Sequence, residues 1–177
     1  MGDIHPFSPE KLIIGVLTTR PQQLDRLEEV LTAEFGPVDY RSELILFNFT
    51  DYYTSEMGRD MKRLFFSFDR LVSPDKLAEI KVRTNGIETS FTENGCRKVN
   101  LDPGLLSLGK LILASTKDNA QRIPLSLGIF AEITLIYKKK QFRPLPWTYR
   151  DYQSAEYQAV LKDIRELYKR QIDQLVE

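Results

Sequence analysis

In "NLDPGLLSLGKLILASTKDN" (residues 100–119), Gly104, Gly109 and Lys110 stand at the G-x-x-x-x-G-K spacing of a loop that cradles phosphate with its backbone N–H groups. "TKDN" follows, close to a guanine-reading motif. A working phosphate loop ends in Ser or Thr, whose hydroxyl holds Mg²⁺, and opens a helix whose N-terminus faces the phosphates. Here position 111 is Leu, the residues between the glycines are mostly large and apolar, and "LILAST" favours a strand. The acid of "TKDN" also comes one place too early to read a guanine edge. The stretch reads instead as a turn, Asp102-Pro103-Gly104, entering a packed segment.

Other chemistries fall away on residue counts. His5 is the single histidine, so a nucleophilic Ser or Cys has no imidazole base and a multi-histidine metal site has no ligands. No G-x-G-x-x-G follows a strand, which leaves a dinucleotide fold unsupported. An enzyme built on this chain would work with carboxylates, Lys, Arg and Tyr, with or without a hard cation. The same stretch and its neighbours hold such a set: Asp102, Lys110, Lys117, Asp118, Arg122 and, one segment on, Glu132. Lys and Arg suit a phosphate or carboxylate, one as a point charge and the other as a planar fork. Asp102, Asp118 and Glu132 could orient those cations or give oxygen ligands to Mg²⁺. A surface ion-pair network is the structural alternative.

Two further segments are candidates. "FNFTDYYTSEMG" places Asp51, Tyr52, Tyr53 and Glu56 directly after a strand, where loops carry function, although a hydroxyl followed by acids is also a helix-capping signature. "YKKKQFRPLPWTYRDY" combines Lys138, Lys139, Lys140 and Arg143 with Phe142, Trp147, Tyr149 and Tyr152. Such a mixture could stack bases and contact phosphates; equally it could be a solvated hairpin tip or guarded edge strand, with Trp147 under the last helix.

The elements that must position these residues are legible in outline. "KLIIGVLTT" (11–19) reads as a buried strand, and residues 1–10 as a mobile tail. Pro21 opens a helix whose inward face is Leu24, Leu27, Leu31 and Phe35, and Gly36-Pro37 ends it. Residues 42–49 and 63–72 are strands. Ser73-Pro74-Asp75 starts a helix carrying Leu77, Ile80, Thr84, Ile87 and Phe91, which Asn85-Gly86 would kink before a stop near Asn94-Gly95. "RKVNLD" and "KLILAST" are extended. "GIFAEITLIYK" alternates Ile129, Ala131, Ile133, Leu135 and Tyr137 against Phe130, Glu132, Thr134, Ile136 and Lys138, which predicts one better-buried sheet face. Pairing 111–115 with 129–137 as a long hairpin would put Lys117, Asp118 and Arg122 in its loop. A last helix, 154–176, carries Tyr157, Val160, Leu161, Ile164, Leu167, Tyr168, Ile172 and Leu175 as its apolar stripe. The result is one α+β domain spanning 1–177: a largely antiparallel twisted sheet with two or three packed helices. Its N-terminal half has the ferredoxin-like order β-α-β-β-α-β, followed by an added hairpin and the C-terminal helix.

Composition sets the remaining bounds. The 177 residues carry 25 Lys and Arg against 25 Asp and Glu, which argues against broad electrostatic binding to nucleic acid or an anionic membrane. The lone Cys96 has no partner for a disulfide or a zinc site, no secretory signal opens the chain, and no apolar run approaches the ~20 residues of a membrane helix. A reducing cytoplasm is the expected location.

"VNLDPGLLSLGKLILASTKDNAQRIPL", "GIFAEITL", "FNFTDYYTSEMG" and "PWTYRDY" resemble a family of uncharacterised bacterial and archaeal proteins described as a domain of unknown function, over nearly the whole chain from about Lys11. Some members of that family carry a GTP-binding label. The resemblance implies no established reaction and transfers no catalytic residue. The leading expectation is binding, or phosphoryl-type processing, of a small anionic ligand such as a nucleotide. An RNA- or protein-interaction module using 138–152, or a structural homodimer subunit, are the alternatives.

Overall fold

The computed structural model describes residues 2–50 and 52–175. Strand β1 (Glu10–Thr18) is buried along its whole length, which is why its sequence shows a continuous apolar run and no alternation. Its side chains feed two cores. Leu12, Ile14 and Val16 join one cluster, and Ile13 joins the other, on the opposite face of the sheet.

The chain continues through α1 (Leu24–Phe35), β2 (Val38–Arg41), β3 (Ile45–Leu46), α2 (Thr54–Met57), β4 (Lys62–Val72), α3 (Leu77–Ser90), β5 (Thr92–Glu93), β6 (Cys96–Arg97) and β7 (Val99–Leu106). It ends with β8 (Lys110–Ser115), β9 (Ile123–Pro124), β10 (Phe130–Lys138), β11 (Gln141–Pro144) and α4 (Ala155–Leu175). The main sheet runs β11-β10-β8-β7-β1-β4-β2, with β3 beside β4 and β9 beside β10; β5 and β6 form a separate hairpin. Its strand pairs are antiparallel. The α1 and α3 connections interleave, so β1 and β4 lie between the strands that each crossover joins.

Three layers result. Leu24, Leu27, Leu31 and Phe35 of α1 and Leu77, Ala78 and Ile80 of α3 cover one face. On the other face, Tyr157, Val160, Leu161, Ile164 and Tyr168 of α4 meet Phe65, Leu111 and Leu135. Each such Leu, Ile, Val or Phe side chain contributes about 1.5–3 kcal/mol on leaving water. Gly36, at φ +98°, takes a positive-φ conformation open to glycine as it ends α1. Leu175, expected on the α4 stripe, is instead exposed.

Several sequence expectations are corrected. Residues 42–49 are not one strand: Phe47 turns inward to a small cluster with Leu17, Met57 and Met61, and only Ile45 and Leu46 pair with β4. Helix α3 passes through Asn85-Gly86 and stops at Ser90, after which Asn94 and Gly95, both at positive φ, make the tight turn between β5 and β6. The alternation in β10 is broken by a bulge between Ile133 and Leu135, so Ala131 packs toward α1 and α3 while Leu135 packs toward α4. Glu132 and Thr134 are thereby buried.

Asp102-Pro103-Gly104 is not a turn but the middle of β7, paired with Gly15, Ile14 and Ile13 of β1. Gly104 sits where β7 and β8 press together. A Cβ there would lie 2.5 Å from the Ile112 carbonyl oxygen and 2.6 Å from Leu113 Cδ2. A backbone oxygen cannot step aside, so Gly104→Ala should force the strands apart and cost about 1–3 kcal/mol. In thermal unfolding that is a Tm lowered by roughly 3–10 °C. An unchanged Tm would show that the two strands have slack.

Candidate functional site

The sheet opens between β7 and β8. The two strands pair only where Gly104, Leu105 and Leu106 face Leu113, Ile112 and Leu111. Beyond Leu113, β8 stays with β10, whereas β7 stays with β1 back to Val99. A cavity of about 540 Å³ fills the gap, with Asn100 and Asp102 on one side and Leu113, Ala114, Ser115 and Thr116 on the other. Pro103 is tolerated within β7 because no strand on that edge requires its missing N–H.

Helix α3 replaces the absent strand. Lys81 Nζ donates to the Leu101 carbonyl at 2.8 Å, and the Leu101 N–H donates to Glu88 Oε1 at 2.7 Å. Lys81, Thr84 and Glu88, spaced i, i+3, i+7, thus form a buried polar stripe against the open edge. Burial pushes the Glu88 carboxyl up, against the pull of Lys81 and Arg97. Arg97 joins Glu88 at 2.7 Å and grips Glu56 through two donors at 2.6 and 2.9 Å.

The floor is organised around Arg63, at the start of β4. Gly15 pairs with Phe65 on one side and Asp102 on the other, and its missing side chain leaves room for polar groups. A Cβ at Gly15 would stand 3.1 Å from Arg63 Nη1 and 3.3 Å from the Tyr152 hydroxyl. Arg63 donates to Asp102 Oδ2 at 2.8 Å and to the Tyr157 hydroxyl at 3.2 Å, and approaches Asp151 Oδ2 at 3.5 Å. Burial pushes the Asp102 carboxyl up, but Arg63 and Lys81 outweigh it and hold the group below the usual range. At Asp151 burial wins over Arg63 and the carboxyl rises. The Tyr157 hydroxyl is pushed up to about 12, chiefly by burial. The Tyr152 hydroxyl is buried beside them with no hydrogen-bond partner among the described residues.

The rim is made by the β8–β10 loop and the segment after β3. Arg122 donates to Glu132 at 3.0 Å, to Ser115 at 2.9 Å, to the Lys117 carbonyl at 2.8 Å and to the Tyr149 hydroxyl at 2.8 Å. It is a clamp that closes the loop, with most of its donors committed. Lys117 Nζ crosses the mouth to the Tyr52 hydroxyl at 2.8 Å. Lys117 and Arg150 make no ion pair among the described residues. Among those residues the lining counts six cations (Arg63, Lys81, Arg97, Lys117, Arg122, Arg150) against four carboxylates (Glu88, Asp102, Glu132, Asp151), and with Glu56 behind Arg97 as a fifth the cavity still leans positive in a chain of zero net charge. Phe47, Phe49, Tyr52 and Tyr53 add an aromatic wall.

Of the residues singled out in the sequence, Asp102, Lys117, Arg122, Glu132, Tyr52, Tyr53, Tyr149 and Tyr152 line this cavity, and Glu56 backs it through Arg97. The anticipated β8–β10 pairing is present and places Lys117, Asp118 and Arg122 in the connection. Lys110 lies at the other end of β8, opposite Ile136 and near Glu10, and does not line the cavity. Asp118 is exposed and not in the lining. Lys139 and Lys140 form the tip of the β10–β11 hairpin, both at positive φ. Trp147 is not packed under α4: its indole N–H donates to the Ile133 carbonyl at 2.9 Å, at the bulge. Asp51 lies outside the described residues. Arg63, Lys81, Glu88, Arg97, Asn100, Asp151 and Arg150 were not legible as site residues. The available signals were a glycine within the apolar run of β1 and a polar stripe on α3.

Among the described residues, no three His, Cys, Asp or Glu side chains cluster as a metal site, and no helix is long and apolar enough to cross a membrane. A family model described as "Domain of unknown function (DUF4416)" matches residues 8–168. No curated protein and no solved structure matches the chain.

Proposed function

The chain belongs to the family described as Domain of unknown function (DUF4416), and we propose that it binds a small anionic ligand such as a nucleotide in the cavity between β7 and β8. The observation that carries this reading is the excess of cations around an aromatic-walled cavity of about 540 Å³, a volume in the range of small-molecule sites. Lys117 and Arg150 at the rim hold the anion, because neither has a carboxylate partner among the described residues. Asp102 and Glu132 position Arg63 and Arg122. Mg²⁺ would arrive with the ligand's phosphate, since both carboxylates already serve guanidinium groups. Cys96 is a free thiol, in keeping with a cytoplasmic ligand pool.

The test is a thermal-shift panel of nucleotides, sugar phosphates and carboxylates, with and without Mg²⁺. A ligand at ~100 times its Kd adds about 2.7 kcal/mol, or roughly 5–10 °C for a domain of this size. Combining Lys117→Ala with Arg150→Ala should abolish the shift and leave the ligand-free Tm unaltered, since both side chains are exposed. The absence of any hit across the panel would reject the reading.

A further inference from the structure

Charge is not evenly spread over the depth of the cavity. On the floor, two carboxylates, Asp102 and Asp151, face one guanidinium, Arg63, and the nearby Lys81 is matched by Glu88. Asp102 gives one oxygen to Arg63 and the other to the Asn100 amide at 2.9 Å. Each carboxylate oxygen accepts about two hydrogen bonds, so acceptor capacity is left over, and the Asp102 side chain remains 25% exposed to meet it. Beside it lies the Tyr152 hydroxyl, 2% exposed as a residue and without a partner among the described residues. A buried hydroxyl with nothing to bond is costly, and its residue is part of the cavity lining. Such a floor repels a phosphate and favours hydroxyl groups, which can donate to Asp102 and exchange hydrogen bonds with Tyr152. The cations without carboxylate partners, Lys117 and Arg150, stand at the exposed rim.

We propose that the ligand is a phosphate ester of a hydroxyl-bearing skeleton, a sugar or nucleoside phosphate, bound with its hydroxyls on the floor at Tyr152 and Asp102 and its phosphate at the rim between Lys117 and Arg150. This rests on the anion-binding reading above and adds the ligand's class and direction. The nucleoside form would place its base against Phe49 and Tyr53, whose ring faces every base can stack on.

The experiment is calorimetric titration of the wild-type protein and of Tyr152→Phe with three probes: ribose 5-phosphate, 5′-AMP and phenyl phosphate, which lacks hydroxyls. Tyr152→Phe removes a hydroxyl that has no hydrogen-bond partner among the described residues, so its Tm should equal or exceed that of the wild type. The wild type should prefer at least one hydroxylated ester over phenyl phosphate by about tenfold or more, the scale of one good hydrogen bond. Tyr152→Phe should erase most of that preference while leaving phenyl phosphate unaffected. Tighter binding of 5′-AMP than of ribose 5-phosphate identifies the nucleoside form, and the reverse identifies the sugar form. Phenyl phosphate binding as tightly as both esters, with Tyr152→Phe silent, overturns the inference while anion binding at the rim stands. Failure of all three probes overturns the inference together with the reading beneath it.

Discussion

Arg63→Met should be among the most damaging substitutions in this protein, lowering stability by about 3–5 kcal/mol, the usual cost of stranding buried charge. Arg63 is the shared partner of Asp102, Asp151 and the Tyr157 hydroxyl, and its own side chain is only 3% exposed. Methionine fills a similar volume but leaves two carboxylates facing each other. For a domain of this length the loss reads as a Tm lower by roughly 6–20 °C. The pH dependence identifies the cause. In the wild type the Asp102 carboxyl is held below the usual range, so its contribution is present above the unfolded pKa and is lost as pH falls through the folded value. Without the guanidinium, burial is opposed at Asp102 only by Lys81 and the Asn100 amide and at Asp151 only by backbone N–H groups, so both carboxyls rise. A raised carboxyl gives stability that is present below the unfolded pKa and lost as pH rises through the folded value. The gap between variant and wild type should therefore be narrowest near about pH 4 and widen toward about pH 7. Adding Asp102→Asn to Arg63→Met should recover part of the loss. A gap that is constant with pH would mean that packing, not charge, is what Arg63 supplies.

Glu88→Ala should cost a similar amount, about 3–5 kcal/mol, for a different reason. Glu88 closes the hydrogen bond of the Leu101 N–H on the edge that β8 vacates, and it neutralises Lys81 and Arg97. Its removal orphans a buried backbone donor and a buried ammonium together. Amide exchange reports this locally: the Leu101 N–H should exchange much faster, whereas amides in the middle of α1 should change only by the global loss. Glu88→Gln keeps an acceptor for Leu101 and should fall between the two. Unaltered protection at Leu101 in Glu88→Ala would show that the open edge of β7 is satisfied in another way.

These two sites also show where the sequence ceases to inform. Helix α1 is readable because Leu24, Leu27, Leu31 and Phe35 recur at helical spacing, and the same holds for the α4 stripe as far as Tyr168. The hairpin of β8 and β10 was legible because two β-rich runs flank a polar stretch. The bulge at Ile133 and Leu135 leaves no Gly or Pro to mark it, so the face assigned to Leu135 from alternation is wrong. Pro103 suggested a turn on the assumption that every interior strand residue must donate, and that assumption fails on an edge with no neighbour. Asp102, Lys117, Arg122 and Glu132 are close enough in sequence to be grouped by eye. Arg63 is not: it reaches Asp102 across 39 residues and Tyr157 across 94, contacts that only the sheet order creates. Lys81 and Glu88 were hidden in plain spacing, since Thr84 between them read as part of an apolar stripe. Lys110 failed for the opposite reason, being near in sequence but at the far end of a strand.

The most direct measurement is an amide chemical-shift map of isotope-labelled protein titrated with 5′-AMP and ribose 5-phosphate. The expected result is saturable perturbation confined to the cavity lining, including Asn100, Ser115, Lys117, Arg150 and Tyr152, with the β10–β11 tip at Lys139 and Lys140 silent. Perturbation centred on Lys139 and Lys140, or none at millimolar ligand, would contradict a ligand site between β7 and β8.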